Sequence, residues 1–168
     1  MGADVADPAI AGETVVVDET RLGRFQVEAR IGSTAILVDE PVAVGGLGSG
    51  PNPYDLLSAA LGSCTAMTIR LYAERKAWPL SHVRVRAAHH RDALKARDAF
   101  SVDISLEGDL DDTQRARLME IAQRCPVHLT FERGADVAAR LVPPQVPLDS
   151  ETQTSGEHMK DMVEACES

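Results

Sequence analysis

The chain has 168 residues, 44% hydrophobic, 26% charged and only 4% aromatic, the composition of one soluble globular domain. At that length a fold buries roughly 70% of the surface its unfolded chain exposes, so no staple is required, and three cysteines are too few and too odd in number for a secreted disulfide framework. The formal charge of −9 sits at the ends: residues 1–20 carry five acids and no Lys or Arg, residues 143–168 a net −5, and residues 21–142 are close to neutral, which excludes the basic face that nucleic acid or an anionic membrane would need.

The N-terminus has neither a basic n-region nor an apolar h-region, and no run approaches the roughly 18 apolar residues of a membrane span, so the cytosol is the expected compartment. Residues 1–22 read as an acidic, partly disordered segment with one short β-like run at Thr14 to Val17. From Phe25 to Arg30 apolar and polar residues alternate, Ile31 to Thr34 supplies a turn, and Ala35 to Val38 returns; this predicts a β-hairpin. Residues 44–53 hold four glycines and two prolines and predict a loop. It is no phosphate cradle: Pro51 stands where a third glycine or the Walker lysine would be.

Asn52 and Pro53 match an N-cap followed by proline at the first helical position, and a long helix is predicted from Tyr54 to about Lys76. Its apolar stripe takes in Leu57, Ala60, Leu61, Cys64, Met67, Thr68 and Leu71, with Cys64 central. The many small residues around Cys64 would let neighbouring backbones approach. His82–His90 and Phe100–Gly108 alternate as one-faced antiparallel strands. A second helix is predicted from Asp111–Asp112 through Arg124, with Met119 among its inward residues and Arg115 outward. Cys125-Pro126 marks a helix boundary, Gly134 to Val142 reads as a last strand, and residues 143–168 as an acidic flexible tail. The order predicts an α+β fold, an antiparallel sheet with a long central helix, in one domain over residues 23–142.

Two cysteines lie in the ordered region. Free cysteine is most often a small buried hydrophobe, but an apolar stripe of Leu, Ala and Met does not require sulfur at Cys64, and backbone amides at the helix boundary could lower the pKa of Cys125. Zinc would have to recruit Cys64, Cys125, His128 and His89 or His90; the spacing does not support it, because His89 and His90, adjacent on a strand, point to opposite faces. No Gly-x-Ser-x-Gly elbow supports serine hydrolysis.

The run from Gly45 through Gly-Pro-Asn-Pro to Gly62-Ser63-Cys64-Thr65 resembles the signature of the OsmC/Ohr family of peroxide-reducing proteins, and Arg124-Cys125-Pro126-Val127-His128 resembles that family's second cysteine motif. Tyr72 to Leu80 is similar to the OsmC-like branch of the YhfA type. The resemblance implies an intertwined homodimer with a reactive cysteine, Cys64, a resolving cysteine, Cys125, and no cofactor. It implies further an arginine from the N-terminal hairpin beside the first thiolate, for which Arg30 is the first candidate and Arg24 the second. A glutamate that orients this arginine follows the Asn-Pro directly in the peroxidases. Here Tyr54 holds that position and Asp55 follows, rotated by about 100° along a helix. The expected function is reduction of organic hydroperoxides through a Cys64 sulfenic acid and a Cys64–Cys125 disulfide, reopened by an external dithiol. The alternative is an OsmC-fold protein that binds a small ligand or senses redox state with little turnover.

Overall fold

The structure, a computed structural model, describes residues 14–144 and 157–167. The residues before Thr14, residues 145–156 and residue 168 lie outside the description, and with them most of the expected N-terminal segment and half of the expected C-terminal tail. The described residues form two compact units, 14–50 with 142–144, and 51–141 with 157–167.

The first unit is a three-stranded antiparallel sheet of β1 (Val16–Glu19), β2 (Val27–Ile31) and β3 (Thr34–Val38), with β2 central. The hairpin expected between residues 25 and 38 is β2–β3, and its turn uses the left-handed conformation of Gly32, φ 57°. The β-like run at Thr14–Val17 proves to be part of a strand: β1 pairs with β2 from Val16↔Arg30 to Glu19↔Val27. Beyond β3, a single 3-10 turn (Val42–Val44) leads into the glycine-rich loop. Buried Asp39 organises it. Its carboxylate accepts from the backbone N–H groups of Glu40, Leu47 and Ser49 and from the Ser49 hydroxyl. The chain passes so close to β3 that a Cβ on Gly50 would lie 2.1 Å from the Leu37 carbonyl oxygen. The glycines serve packing within this unit.

The second unit is built on α1 (Pro53–Arg75). Asn52 caps it as predicted: its side chain accepts from Tyr54 and Asp55 N–H, while the Asp55 carboxylate accepts from Asn52 N–H in a capping box. By length and composition α1 is apolar enough to cross a membrane, but it is the core helix of this unit, with every other helix and β4 packed around it. Its buried stripe is Leu61, Cys64, Thr65, Thr68, Ile69, Tyr72 and Ala73. Leu57 and Met67, expected inward, are exposed, because the partner elements lie against the face centred on Cys64/Thr65 and Thr68/Ile69. A Cβ on Gly62 would make only ordinary contacts, 3.7 Å from Val85 and Ala87, so the small residues there do not reflect a close backbone approach within this unit.

β4 (Leu80–His90) and β5 (Ala99–Gly108) pair antiparallel, with Val83 opposite Leu106, Val85 opposite Ile104, Ala87 opposite Val102 and His89 opposite Phe100. These half-buried positions alternate with exposed ones, the one-faced pattern read from the sequence. α2 (Asp112–Ala122) is capped by Asp111 and buries Leu118, Ile121 and Ala122. Full burial of Ile69, Leu118 and Ile121 stabilises the fold by about 1.5–3 kcal/mol per side chain. Met119 is 42% exposed, not inward. Arg115, expected outward, turns its guanidinium back to donate to the carbonyls of Leu106, Gly108 and Leu110 at the end of β5 and just beyond it.

α3 (Pro126–Arg133) starts at the Cys-Pro junction, with Cys125 as its N-cap. The strand predicted at Gly134–Val142 does not form; residues 134–143 have no regular structure. The larger correction lies in the tail. Residues Glu157–Glu167 form α4, which packs on α1 and α3 and buries Met162 at 2% and Cys166 at 8% exposure. Arg75 fastens its far end, donating to the Val163 carbonyl at 3.1 Å and pairing with Glu167 at 3.0 Å.

Candidate functional site

Cys64 projects from the middle of α1 and Cys125 from the residue that caps α3, and the two meet in one buried cluster with Leu61. Both are free thiols, 1% and 0% exposed. Burial alone would make them inert, but polar groups converge on the sulfurs. Val127 N–H donates to Cys64 Sγ at 3.5 Å, and His128 N–H donates to Cys125 Sγ at 3.3 Å. Both amides come from the first turn of α3, whose N–H groups have no intrahelical acceptor. Proline at residue 126 starts the helix, and a thiol stands where a Ser or Asp cap usually would. Thr65 Oγ1 lies 3.6 Å from Cys125 Sγ, and His158 Nε2, from α4, lies 3.3 Å from Cys64 Sγ.

The hydrogen bond from Cys64 is the largest influence pulling the Cys125 thiol down to about 6; Thr65 and His128 N–H add to it, against burial. Cys64 is pushed up, first by that same hydrogen bond and then by burial, with Val127 N–H opposing. Two thiols in contact lose protons in steps that belong to the pair. The pair therefore gives up one proton easily and holds the other hard.

Phe100, Val102, Val127 and Phe131 pack against the cysteine cluster. Four rings run in series along this side: Tyr54 stacks on His89 at 4.2 Å, His89 meets Phe100 at 4.9 Å, and Phe100 stacks on Phe131 at 4.6 Å. Tyr54, Phe100 and Phe131 of this series border a cleft of about 580 Å³, apolar along Leu57, Leu61, Phe100, Val102 and Phe131, and polar at Arg97, Asp98, His128 and Glu132. Leu57 thus lines the cleft although it lies off the buried stripe. His89 and His90 do point to opposite faces. His89 is half-buried in the ring series with Asp98 at 2.7 Å, and His90 is exposed beside Asp92. Among the described residues no three of His, Cys, Asp and Glu converge as a metal site requires.

The two other predicted site residues have local partners. Arg30 lies in β2, and its guanidinium binds Asp18 at 2.5 Å and Glu28 at 3.4 Å; Arg24 lies over the Phe25 ring. Asp55 is exposed and occupied by the capping box of α1. Tyr54 has the more connected side chain: its hydroxyl accepts from Arg91 Nη1 at 2.9 Å, and Arg91 in turn lies 3.6 Å from Asp98. Sequence reading missed Arg91 and His158. Arg91 carries no signal of its own, whereas His158, Met162 and Cys166 recur every four residues, the spacing of one helix face.

The model of the OsmC-like protein family matches residues 46–140, a span that includes both cysteine motifs. No curated protein matches the chain. Among solved structures, a Psychrobacter arcticus protein named for osmotic stress induction and detoxification response superposes with a TM-score of 0.62 at 24% identity, over 70% of this chain and 86% of that one. An OsmC-like protein from Mycoplasma pneumoniae gives 0.58 at 19% identity, over 71% and 84%. An organic hydroperoxide resistance protein OsmC from Legionella pneumophila gives 0.55 at 22% identity, over 70% and 88%. At these identities the likeness is one of fold, and it agrees with the α+β architecture read from the sequence. With more than half of its length matched by the family model, the chain belongs to the family of OsmC-like proteins.

Proposed function

We propose that the protein is a thiol-dependent peroxidase that reduces organic hydroperoxides, working as a homodimer in the cytoplasm. The observation that carries this reading is the meeting of Cys64 and Cys125 in one buried cluster beside an apolar, aromatic-lined cleft. Two cysteines placed only as core fillers would need neither the amides of Val127 and His128 aimed at their sulfurs nor a cleft beside them. The hydroperoxide resistance protein from Legionella pneumophila, alike in fold, lends the reading its substrate class.

The Cys64 thiolate attacks the terminal oxygen of R–O–OH. An S–O bond forms as the O–O bond breaks, sulfur is oxidised, and the alkoxide takes up a proton and leaves as the alcohol. The Cys125 thiol condenses with the sulfenic acid, giving a disulfide and water. An external dithiol returns both to thiols. Cys166, buried against the Thr68 carbonyl, has no part in the cycle. Arg30 and Asp55 stay in the proposal as the residues that would support the thiolate and its arginine once the site is complete.

Single turnover tests the reading. Reduced protein mixed with one equivalent of cumene hydroperoxide should lose two of its three thiols; Cys64→Ser should lose none, and Cys125→Ser should give a sulfenic acid on Cys64 that a dimedone probe traps. Retention of all three thiols by the wild type would replace the enzyme by the ligand-binding or redox-sensing alternative.

A further inference from the structure

We propose that His158 of the C-terminal helix is the proton-transfer partner of Cys64 and selects Cys64 over Cys125 as the nucleophile, an inference that rests on the thiol chemistry proposed above. His158 is the one imidazole that touches a cysteine sulfur among the described residues, with Nε2 3.3 Å from Cys64 Sγ. This position is built. Met162, one turn on, is buried, and Cys166, another turn on, is buried against the Thr68 carbonyl of α1. Arg75 ties the same helix to α1 at Val163 and Glu167. α4 is thus held along α1 at two places, and His158 comes out beside the sulfur.

The pair needs such a group. The first turn of α3 sends one amide to each sulfur, Val127 N–H to Cys64 and His128 N–H to Cys125, and Thr65 Oγ1 of α1 adds a further contact at Cys125. On those bonds alone the sulfur that caps α3 is the better supplied for an anion. An imidazole in contact with Cys64 gives its proton another place to go. His158 Nε2 takes the Cys64 proton; the resulting thiolate is neighbour to an imidazolium, and the Cys125 thiol becomes the donor within the pair. Opposite charges in contact at a buried sulfur attract more strongly than in open solvent. When the thiolate attacks a hydroperoxide, the imidazolium proton passes to the departing alkoxide. The sum is Cys–SH plus ROOH giving Cys–SOH plus ROH, with His158 returned to its neutral form.

The test reads which sulfur reacts first and needs no peroxide. Full-length protein, reduced and treated with less than one equivalent of iodoacetamide, is digested, and the carbamidomethyl content of the Cys64 and Cys125 peptides is measured. Wild type should be modified mainly at Cys64. In His158→Gln, which keeps a hydrogen-bonding amide but cannot carry the proton, the Cys64:Cys125 ratio should fall about tenfold. His158→Phe, which keeps an apolar cover over the sulfur, should lower it as far. A wild-type ratio in His158→Gln would show that a hydrogen bond suffices, and one in His158→Phe that His158 only covers the thiol; either overturns the proposal. Wild-type protein inert to hydroperoxide, with this His158 dependence intact, would sink the peroxidase reading alone. A working peroxidase without the dependence would sink only the role of His158.

Discussion

Each cysteine of the pair acts on the proton of the other, so replacing either should change the ionisation of the one that remains. Cys125 is drawn from the ordinary thiol value of 9.0 to about 6, with the Cys64 hydrogen bond as the largest cause. At pH 7 a pair with that value carries one thiolate about nine times in ten, against about one in a hundred for an ordinary thiol. Reactivity rises less. Nucleophilicity per thiolate falls with pKa at a Brønsted slope near 0.4–0.5, about twentyfold over this range, so the net gain in rate is only about four- to fivefold. Ionisation is therefore the sharper readout. Thiolate absorbance at 240 nm, followed from pH 4 to 10, should show one thiolate per chain appearing with a midpoint near 6. Cys64→Ala, which removes the thiol that acts most strongly on Cys125, should lose that step and ionise above pH 7. Cys166→Ser should keep it, because burial, the largest influence on Cys166, pushes that thiol up. A wild-type thiolate that appears only above pH 8, or a step near 6 that survives in Cys64→Ala, would refute the coupled pair.

Met162, 2% exposed under α4, should on change to Ala cost about 2–5 kcal/mol in urea unfolding; a loss under about 0.5 kcal/mol would mean that α4 is not docked. Asp39 is held below its ordinary 3.8: burial pushes it up, but the Ser49 side chain and the amides of Glu40, Ser49 and Leu47 outweigh this. A depressed carboxylate contributes stability that is present above its unfolded pKa and lost as pH falls through the folded one. The advantage of wild type over Asp39→Asn should therefore be largest at neutral pH and shrink below about 3.8; an advantage that grows on acidification would contradict the carboxylate's role. Tyr54→Phe should cost about 0.5–1.5 kcal/mol for the Arg91 hydrogen bond, and Tyr54→Ala more, because it also removes the ring stacked on His89. Equal unfolding midpoints for the two variants would deny the stack its contribution.

Most elements were legible because their periods are local. The alternation in β4 and β5, the cap at Asn52 and the turn at Gly32 each follow from a few adjacent residues. What failed was orientation and docking. Leu57 and Met67 are as apolar as Ile69, and only the elements laid against α1 decide which of them is buried. Gly134–Val142 has strand-like composition but no partner strand among the described residues to supply its hydrogen bonds, and a strand does not exist alone. In α4 the acidic composition, Asp161, Glu164 and Glu167, suggested a solvated tail, while the sparse stripe of His158, Met162 and Cys166 carried the opposite message. Eleven residues are too few for a stable isolated helix in water, so its helicity depends on α1 and α3 and is invisible to local propensity.

The candidate site divides along the same line. Cys64 and Cys125 were found by motif, yet nothing in their separation along the chain says that the N-cap of α3 brings one sulfur against the other, or that the two would share a proton. Tyr54 was noticed as a departure from the family pattern; only the fold shows that its hydroxyl accepts from Arg91 while Asp55 is engaged with the Asn52 amide. For His158 the gap from Cys64 is 94 positions, and loop-closure entropy grows so slowly with length that such a distance is no obstacle to contact. A side chain from the tail can therefore enter the chemistry of the central helix as readily as one from the adjoining loop. Whether it does depends on the anchor, here Met162, Cys166 and the two contacts of Arg75. Residues that hold α4 down should on that account influence which cysteine reacts, although none of them touches Cys125.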